Sequence, residues 1–148
     1  MVKPAGRATN SMSVKAFVDS NIFIYLHDVT AGRKRERAKQ LVEKLWDSGE
    51  GCVSVQVLQE FYVNSTRKLG MPQGEAEAQV VRLSAWTVHT PSAHDVVAAI
   101  RLHQSEQLSF WDAMIVQSVR QLGCHILYSE DLNPGQTVAG VVIQNPFR

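Results

Sequence analysis

The chain has 148 residues, 45% hydrophobic and 20% charged, with a formal net charge of +1. That is one ordinary globular domain with room for its own core, and the charge balance argues neither for nor against a nucleic-acid partner. No apolar run approaches the roughly 18 residues of a membrane span and no signal-peptide core is visible, so a cytoplasmic protein without membrane association is the expectation.

Residues 1–13 are small and polar without apolar periodicity, and are read as a disordered arm or leader, with Met12 an alternative start. The folded domain is expected over residues 14–148. Lys15 to Asp19 reads as a short buried strand, followed by a brief helix from Asn21 to His27. A charged helix from Arg33 to Ser48 carries Ala38, Leu41, Val42, Leu45 and Trp46 at helical spacing. Gly49 to Gly51 breaks it, and Cys52 to Ser54 is a second strand. Ser54 caps a helix from Val55 to Leu69, which Gly70 and Pro72 end. A helix over 74–83 and a strand over 86–88 follow.

Ser92 opens the next helix, with Asp95 at the capping-box position. Ser109 opens a helix from Phe110 to Leu122, closed by Gly123. Strands are expected at 124–128 and 141–144. Short apolar strands alternating with longer helices imply an α/β fold: a three-layer sandwich with a central parallel sheet of about five strands. Cys52 and Cys124 show no paired spacing and read as buried free thiols.

Four carboxylates fall where such a sheet builds its sites: Asp19 after the first strand, Glu60 one turn into the helix after the second, Asp112 at the start of the helix before the fourth, and Asp131 just after the fourth. Each has a plainer reading. Asp19 and Asp112 suit helix N-termini, Glu60 shares a polar stripe with Gln56 and Asn64, and Asp131 lies in a run of turn formers. Together they open onto one edge, where clustered carboxylates repel unless a hard cation lies between them. Asp19, Glu60 and Asp112 are therefore expected close enough to share an ion, with Asp131 nearby.

The segments FVDSNIFIYLHD, SVQVLQEFYVN, LSFWDAMIV and ILYSEDL resemble the PIN domain, most closely the toxin nucleases of bacterial VapBC-type toxin–antitoxin pairs. The resemblance runs from about Val14 to the C-terminus. It implies that Asp19, Glu60, Asp112 and Asp131 bind Mg²⁺ or Mn²⁺ and are catalytic, with Ser20, Asn21 and Ser129 as supporting polar groups. Ser129 stands where the family often has Thr, which keeps the hydroxyl. The implied activity is endoribonucleolytic cleavage of RNA leaving 5′-phosphate and 3′-hydroxyl ends. The implied partners are a second copy of the chain and a cognate antitoxin in a two-to-two complex. An antitoxin arm bearing Arg suits the acidic cleft. Phe61, Tyr62 and Trp111 are either its anchoring surface or part of the core.

Arg33-Lys34-Arg35-Glu36-Arg37 is the densest positive run and begins a helix, where the macrodipole disfavours it. RNA phosphate contact by Arg33, Lys34, Arg35 and Arg37 is one reading; a solvated helix end is the other. The five histidines show no zinc spacing, and no Gly-rich phosphate loop is present. A haloacid-dehalogenase-like phosphatase also places Asp after its first strand. It needs Asp-x-Asp, where this chain has Asp19-Ser20-Asn21, and the missing general acid removes its mechanism. An RNA-processing nuclease without an antitoxin, or a silent RNA- or protein-binding module, are the alternatives.

Overall fold

Phe17 and Val18 are wholly buried and Ala16 nearly so, as expected of a strand covered on both faces rather than one half-exposed. In this computed structural model, which describes residues 14–133 and 135–148, they form β1 (Ala16–Val18) at the centre of the sheet. The arm expected at residues 1–13 lies outside the described residues. The remaining elements are α1 (Ser20–His27), α2 (Arg33–Ser48), β2 (Gly51–Ser54), α3 (Val55–Lys68), α4 (Gln73–Leu83), β3 (Thr87–His89), α5 (Ala93–Glu106), α6 (Phe110–Gln121), β4 (Ile126–Tyr128), β5 (Thr137–Val138) and β6 (Val141–Gln144).

The strand order is β3-β2-β1-β4-β6-β5, and every pairing is parallel except β5 with β6. Chain order runs from β1 outward through β2 to β3, then crosses back to β4 on the other side of β1. Right-handed crossovers therefore put α1 to α4 on one face and α5 with α6 on the other. The reversal at β1 makes the crevice between the carboxyl ends of β1 and β4 a topological switch point.

The sheet has six strands against the expected five. The addition is β5, paired to β6 through Ala139 and Gly140, whose φ values are 51° and 87°. Two positive φ angles make a tight hairpin turn that matches strand twist, but Ala-Gly lacks the Asn-Gly or Asp-Gly signature that announces it. Gly51 belongs to β2 instead of the expected break. A Cβ there would meet the Trp86 ring at 2.6 Å, so the strand can start at Gly51 only because it carries no side chain.

Candidate active site

Asp19 ends β1 and caps α1: its backbone is extended (φ −74°, ψ 158°) and Oδ1 accepts the Ser20 N–H at 2.8 Å. This fixes the carboxylate at the switch point, only 6% accessible. Its other oxygen, Oδ2, accepts from the Ser129 hydroxyl at 2.9 Å and from Asn21 Nδ2 at 3.5 Å.

Ser129, at the end of β4, is completely buried. Its Oγ also accepts the N–H groups of Asp131 and Leu132 at 3.2 and 3.3 Å. One hydroxyl thus donates to Asp19 while shaping the turn that presents Asp131. Asn21 spans the same gap: Nδ2 donates to Asp131 Oδ2 at 3.1 Å, and Oδ1 accepts the Glu130 N–H at 3.3 Å.

Glu60 enters from α3. The Ser20 hydroxyl donates to its Oε1 at 2.9 Å and Gln56 Nε2 to its Oε2 at 3.1 Å. Gln56 Nε2 also reaches the Trp111 carbonyl at 3.1 Å, which links α3 to the first turn of α6. There Ser109 Oγ accepts the Asp112 N–H at 3.1 Å and caps the helix.

The electrostatics follow from this crowding. Burial, joined by the like charges of Glu60 and Asp131, pushes the Asp19 carboxyl up to about 7, against the pull of its hydrogen bonds from Ser129 and Ser20. Burial and then the charge of Asp131 raise Asp112 above the ordinary carboxylate range, opposed by Ser109. Repulsion therefore runs from Glu60 through Asp19 and Asp131 to Asp112. The donors are carboxylate, hydroxyl and amide oxygens, the set a hard divalent cation prefers.

The expected convergence of Asp19, Glu60 and Asp112 is only partly met. Among the described residues, no three His, Cys, Asp or Glu side chains are gathered tightly enough to hold an ion. Asp19, Glu60 and Asp131 each have their own hydrogen-bond partners along that edge.

Other expectations change more. Lys34 Nζ is paired with Glu130 Oε2 at 2.5 Å, and Arg35 Nε donates to the Leu26 carbonyl at 3.3 Å. Both make a contact within the chain, but only Lys34 has its charge paired; Arg33, Arg35 and Arg37 are all exposed. Phe61 is fully buried and belongs to the core, so it cannot anchor a partner; Trp111 is 62% exposed. Cys52 and Cys124 are free and buried as expected, yet they interact with each other, and that contact together with burial pushes the Cys124 thiol up.

Gln56 and Glu130 touch site residues but stand outside the set expected from the sequence. The i−4 spacing of Gln56 from Glu60 was a usable signal. Nothing in the local sequence signals the partners of Glu130.

The PIN domain family model matches residues 16–137. A chain of a toxin–antitoxin complex from Klebsiella pneumoniae superposes with a TM-score of 0.67 at 20% identity, over 89% of this chain and 98% of its own. The Mycobacterium tuberculosis sarcin–ricin-loop-cleaving toxin VapC20 gives 0.62 at 24% identity, over 79% and 90%. DNA-bound VapBC from Salmonella typhimurium gives 0.63 at 16%, over 90% and 98%. At these identities the likeness speaks for the fold. No curated protein sequence matches the chain.

Proposed function

Because the chain belongs to the PIN domain family, we propose that it is a divalent-metal-dependent endoribonuclease and the toxin of a toxin–antitoxin pair. The observation that carries this reading is the linked row of Asp19, Glu60, Asp131 and Asp112 at the switch point, where burial and like charges push the Asp19 carboxyl up to about 7. A carboxyl pushed up by burial and by like charges where strands end marks a functional site.

Asp19, Glu60, Asp112 and Asp131 would hold Mg²⁺ or Mn²⁺, which when bound supplies a Lewis acid and a more acidic water for attack on a phosphodiester. The chain's own groups orient the site. The Ser20 N–H and the Ser129 hydroxyl direct the two oxygens of Asp19. Gln56 and Ser20 direct Glu60, and Asn21 directs Asp131. Arg33, Arg35 and Arg37, all exposed, are the candidate phosphate contacts on the protein side.

The toxin–antitoxin assignment is supported by neighbours that are themselves toxin–antitoxin proteins. A cognate antitoxin would silence the cleft with a cationic arm, Tyr62 and Trp111 offering apolar contact, and two copies of the chain would pair through one self-complementary patch. Among the described residues, no helix is long and apolar enough to cross a membrane.

The test is to incubate purified protein with total RNA in Mg²⁺, Mn²⁺ or EDTA and map the ends. Metal-dependent internal cuts with 5′-phosphates are expected, suppressed by the product of an adjacent small reading frame in a two-to-two complex. Cleavage that such a partner binds without suppressing would favour the RNA-processing alternative; no cleavage with either metal would contradict the nuclease.

A further inference from the structure

Glu130 is a fifth carboxylate beside the acidic row, adjacent in sequence to Asp131 and Ser129. It does not join that row. Lys34 Nζ pairs with Oε2 from 96 residues away, and the Tyr25 hydroxyl donates to Oε1 at 2.6 Å. Lys34 also lies 4.8 Å from the centre of the Tyr25 ring and 5.7 Å from that of Phe147, while those rings pack edge to face at 5.0 Å. The ammonium thus has a carboxylate on one side and aromatic faces on another, an arrangement that fixes a cation in place. Glu130 is held by both oxygens, and its N–H is held by Asn21.

We propose that Lys34, Tyr25 and Glu130 form a positioning clamp for the turn carrying Ser129 and Asp131, and that Lys34 is not an RNA contact. The proposal rests on the metal-nuclease reading of the site. The clamp has two effects. It neutralises Glu130 and turns it toward α1 and α2, so that its charge does not add to the repulsion around Asp19 and Asp131. It also pins the middle of the turn, so that the Asp131 and Leu132 N–H groups stay on Ser129 Oγ while Asn21 reaches Asp131. Groups that orient ligating carboxylates in this way typically affect metal affinity by about 10–100-fold.

The test uses the full chain with the substitutions Lys34→Met, Lys34→Arg, Glu130→Gln and the double variant Lys34→Met/Glu130→Gln. Lys34 is 45% exposed at its side chain, so these variants are expected to fold, with a thermal melt as the check. Calorimetric titration with Mn²⁺ is expected to show roughly tenfold weaker binding for Lys34→Met. Lys34→Arg should recover most of it, and the double variant should be no worse than Lys34→Met. In RNA cleavage the half-saturating Mn²⁺ should rise while KM for RNA and its salt dependence stay unchanged.

If Lys34 instead contacts RNA phosphate, Mn²⁺ binding stays at the wild-type level, KM for RNA rises and the salt slope falls by about one; that result overturns the clamp. A second readout does not need the metal. Amide hydrogen exchange at Asp131 and Leu132 should accelerate in Lys34→Met and return toward wild type in Lys34→Arg. Should the wild-type protein bind no Mn²⁺, the nuclease reading fails on that ground, and unchanged exchange at these two amides would separately overturn the clamp.

Discussion

Asp19 and Asp95 are each 6% accessible, yet their carboxyl groups move in opposite directions. Asp95 completes a capping box at the start of α5 and accepts from the Ser92 N–H at 2.8 Å, from Gln117 at 3.1 Å and from the Ser92 hydroxyl at 3.2 Å. His89 Nε2 lies 3.3 Å away, and its Nδ1 is 2.8 Å from the buried Ser118 hydroxyl. The backbone bond from Ser92, the bond from Gln117 and the charge of His89 outweigh the effect of burial, and Asp95 is held below the usual carboxylate range. Asp19 lies at the middle of the sheet. Burial there is deep and its nearest charges are negative, so it is pushed up. Low accessibility alone therefore says little. Each carboxylate accepts three hydrogen bonds; the one beside a histidine builds the fold, and the one crowded by its own sign is suited to a cation.

Substitution should separate the two aspartates most strongly. Asp19→Asn and Asp112→Asn should each lower metal-dependent RNA cleavage by roughly a thousandfold, the several kcal/mol expected of lost metal-assisted stabilisation. Asp95→Asn should keep cleavage near wild type at temperatures where it is folded. A steady-state cleavage assay of the three proteins checks this, and equal losses in all three would erase the distinction.

Stability in EDTA should diverge with opposite sign. Because folding raises the Asp19 pKa from 3.8 to about 7, the folded state loses stability as pH rises through that window. Asp19→Asn should therefore match wild type near pH 4 and exceed it above pH 7, by up to about 4 kcal/mol at 1.36 kcal/mol per pKa unit. Asp95 has a lowered pKa, so its contribution is present above the ordinary carboxylate value and fades as pH falls further. Asp95→Asn should cost about 2 kcal/mol at neutral pH, through the lost cap and mismatched buried bonds, and less in strong acid. Urea melts at pH 4, 6 and 8 read both signs.

A smaller effect should separate hydroxyl from methyl. Ser129→Ala removes a donor from Asp19 and an acceptor from two N–H groups, and should destabilise by about 1–2 kcal/mol. Ser129→Thr keeps the hydroxyl and should retain cleavage. Smallest of all, Arg33→Ala and Arg37→Ala should leave stability within about 0.5 kcal/mol. Each should reduce the salt slope of RNA binding by about one if it meets a phosphate.

Where the acids lie was legible because a parallel sheet exposes its chemistry at strand ends, and Asp19 and Asp131 each follow an apolar run directly. The Ser92–Asp95 cap was legible for a similar local reason, a fixed spacing before an apolar helix. What could not be read were pairings set by tertiary geometry. Lys34 stood in a basic run that looked free until Glu130 came beside it from 96 positions away. Phe61 sat beside Glu60 in sequence, but the helical turn carries the two to different surroundings, and Phe61 faces the core. The β5–β6 hairpin was hidden because Ala139 adopts a left-handed conformation that its residue type does not advertise.

The crowded edge around Asp19 is suited to a divalent cation. Calorimetric Mn²⁺ titration of wild type and Asp19→Asn, in buffers of different ionisation enthalpy, tests it most directly. At pH 6 Asp19 is largely protonated if its pKa is about 7, so binding must displace a proton; at pH 8.5 there is none to displace. Mn²⁺ is expected to bind with proton release approaching one per site at pH 6, with little release at pH 8.5, and not to bind Asp19→Asn. Absence of Mn²⁺ binding at both pH values, or wild-type binding by Asp19→Asn, would contradict it.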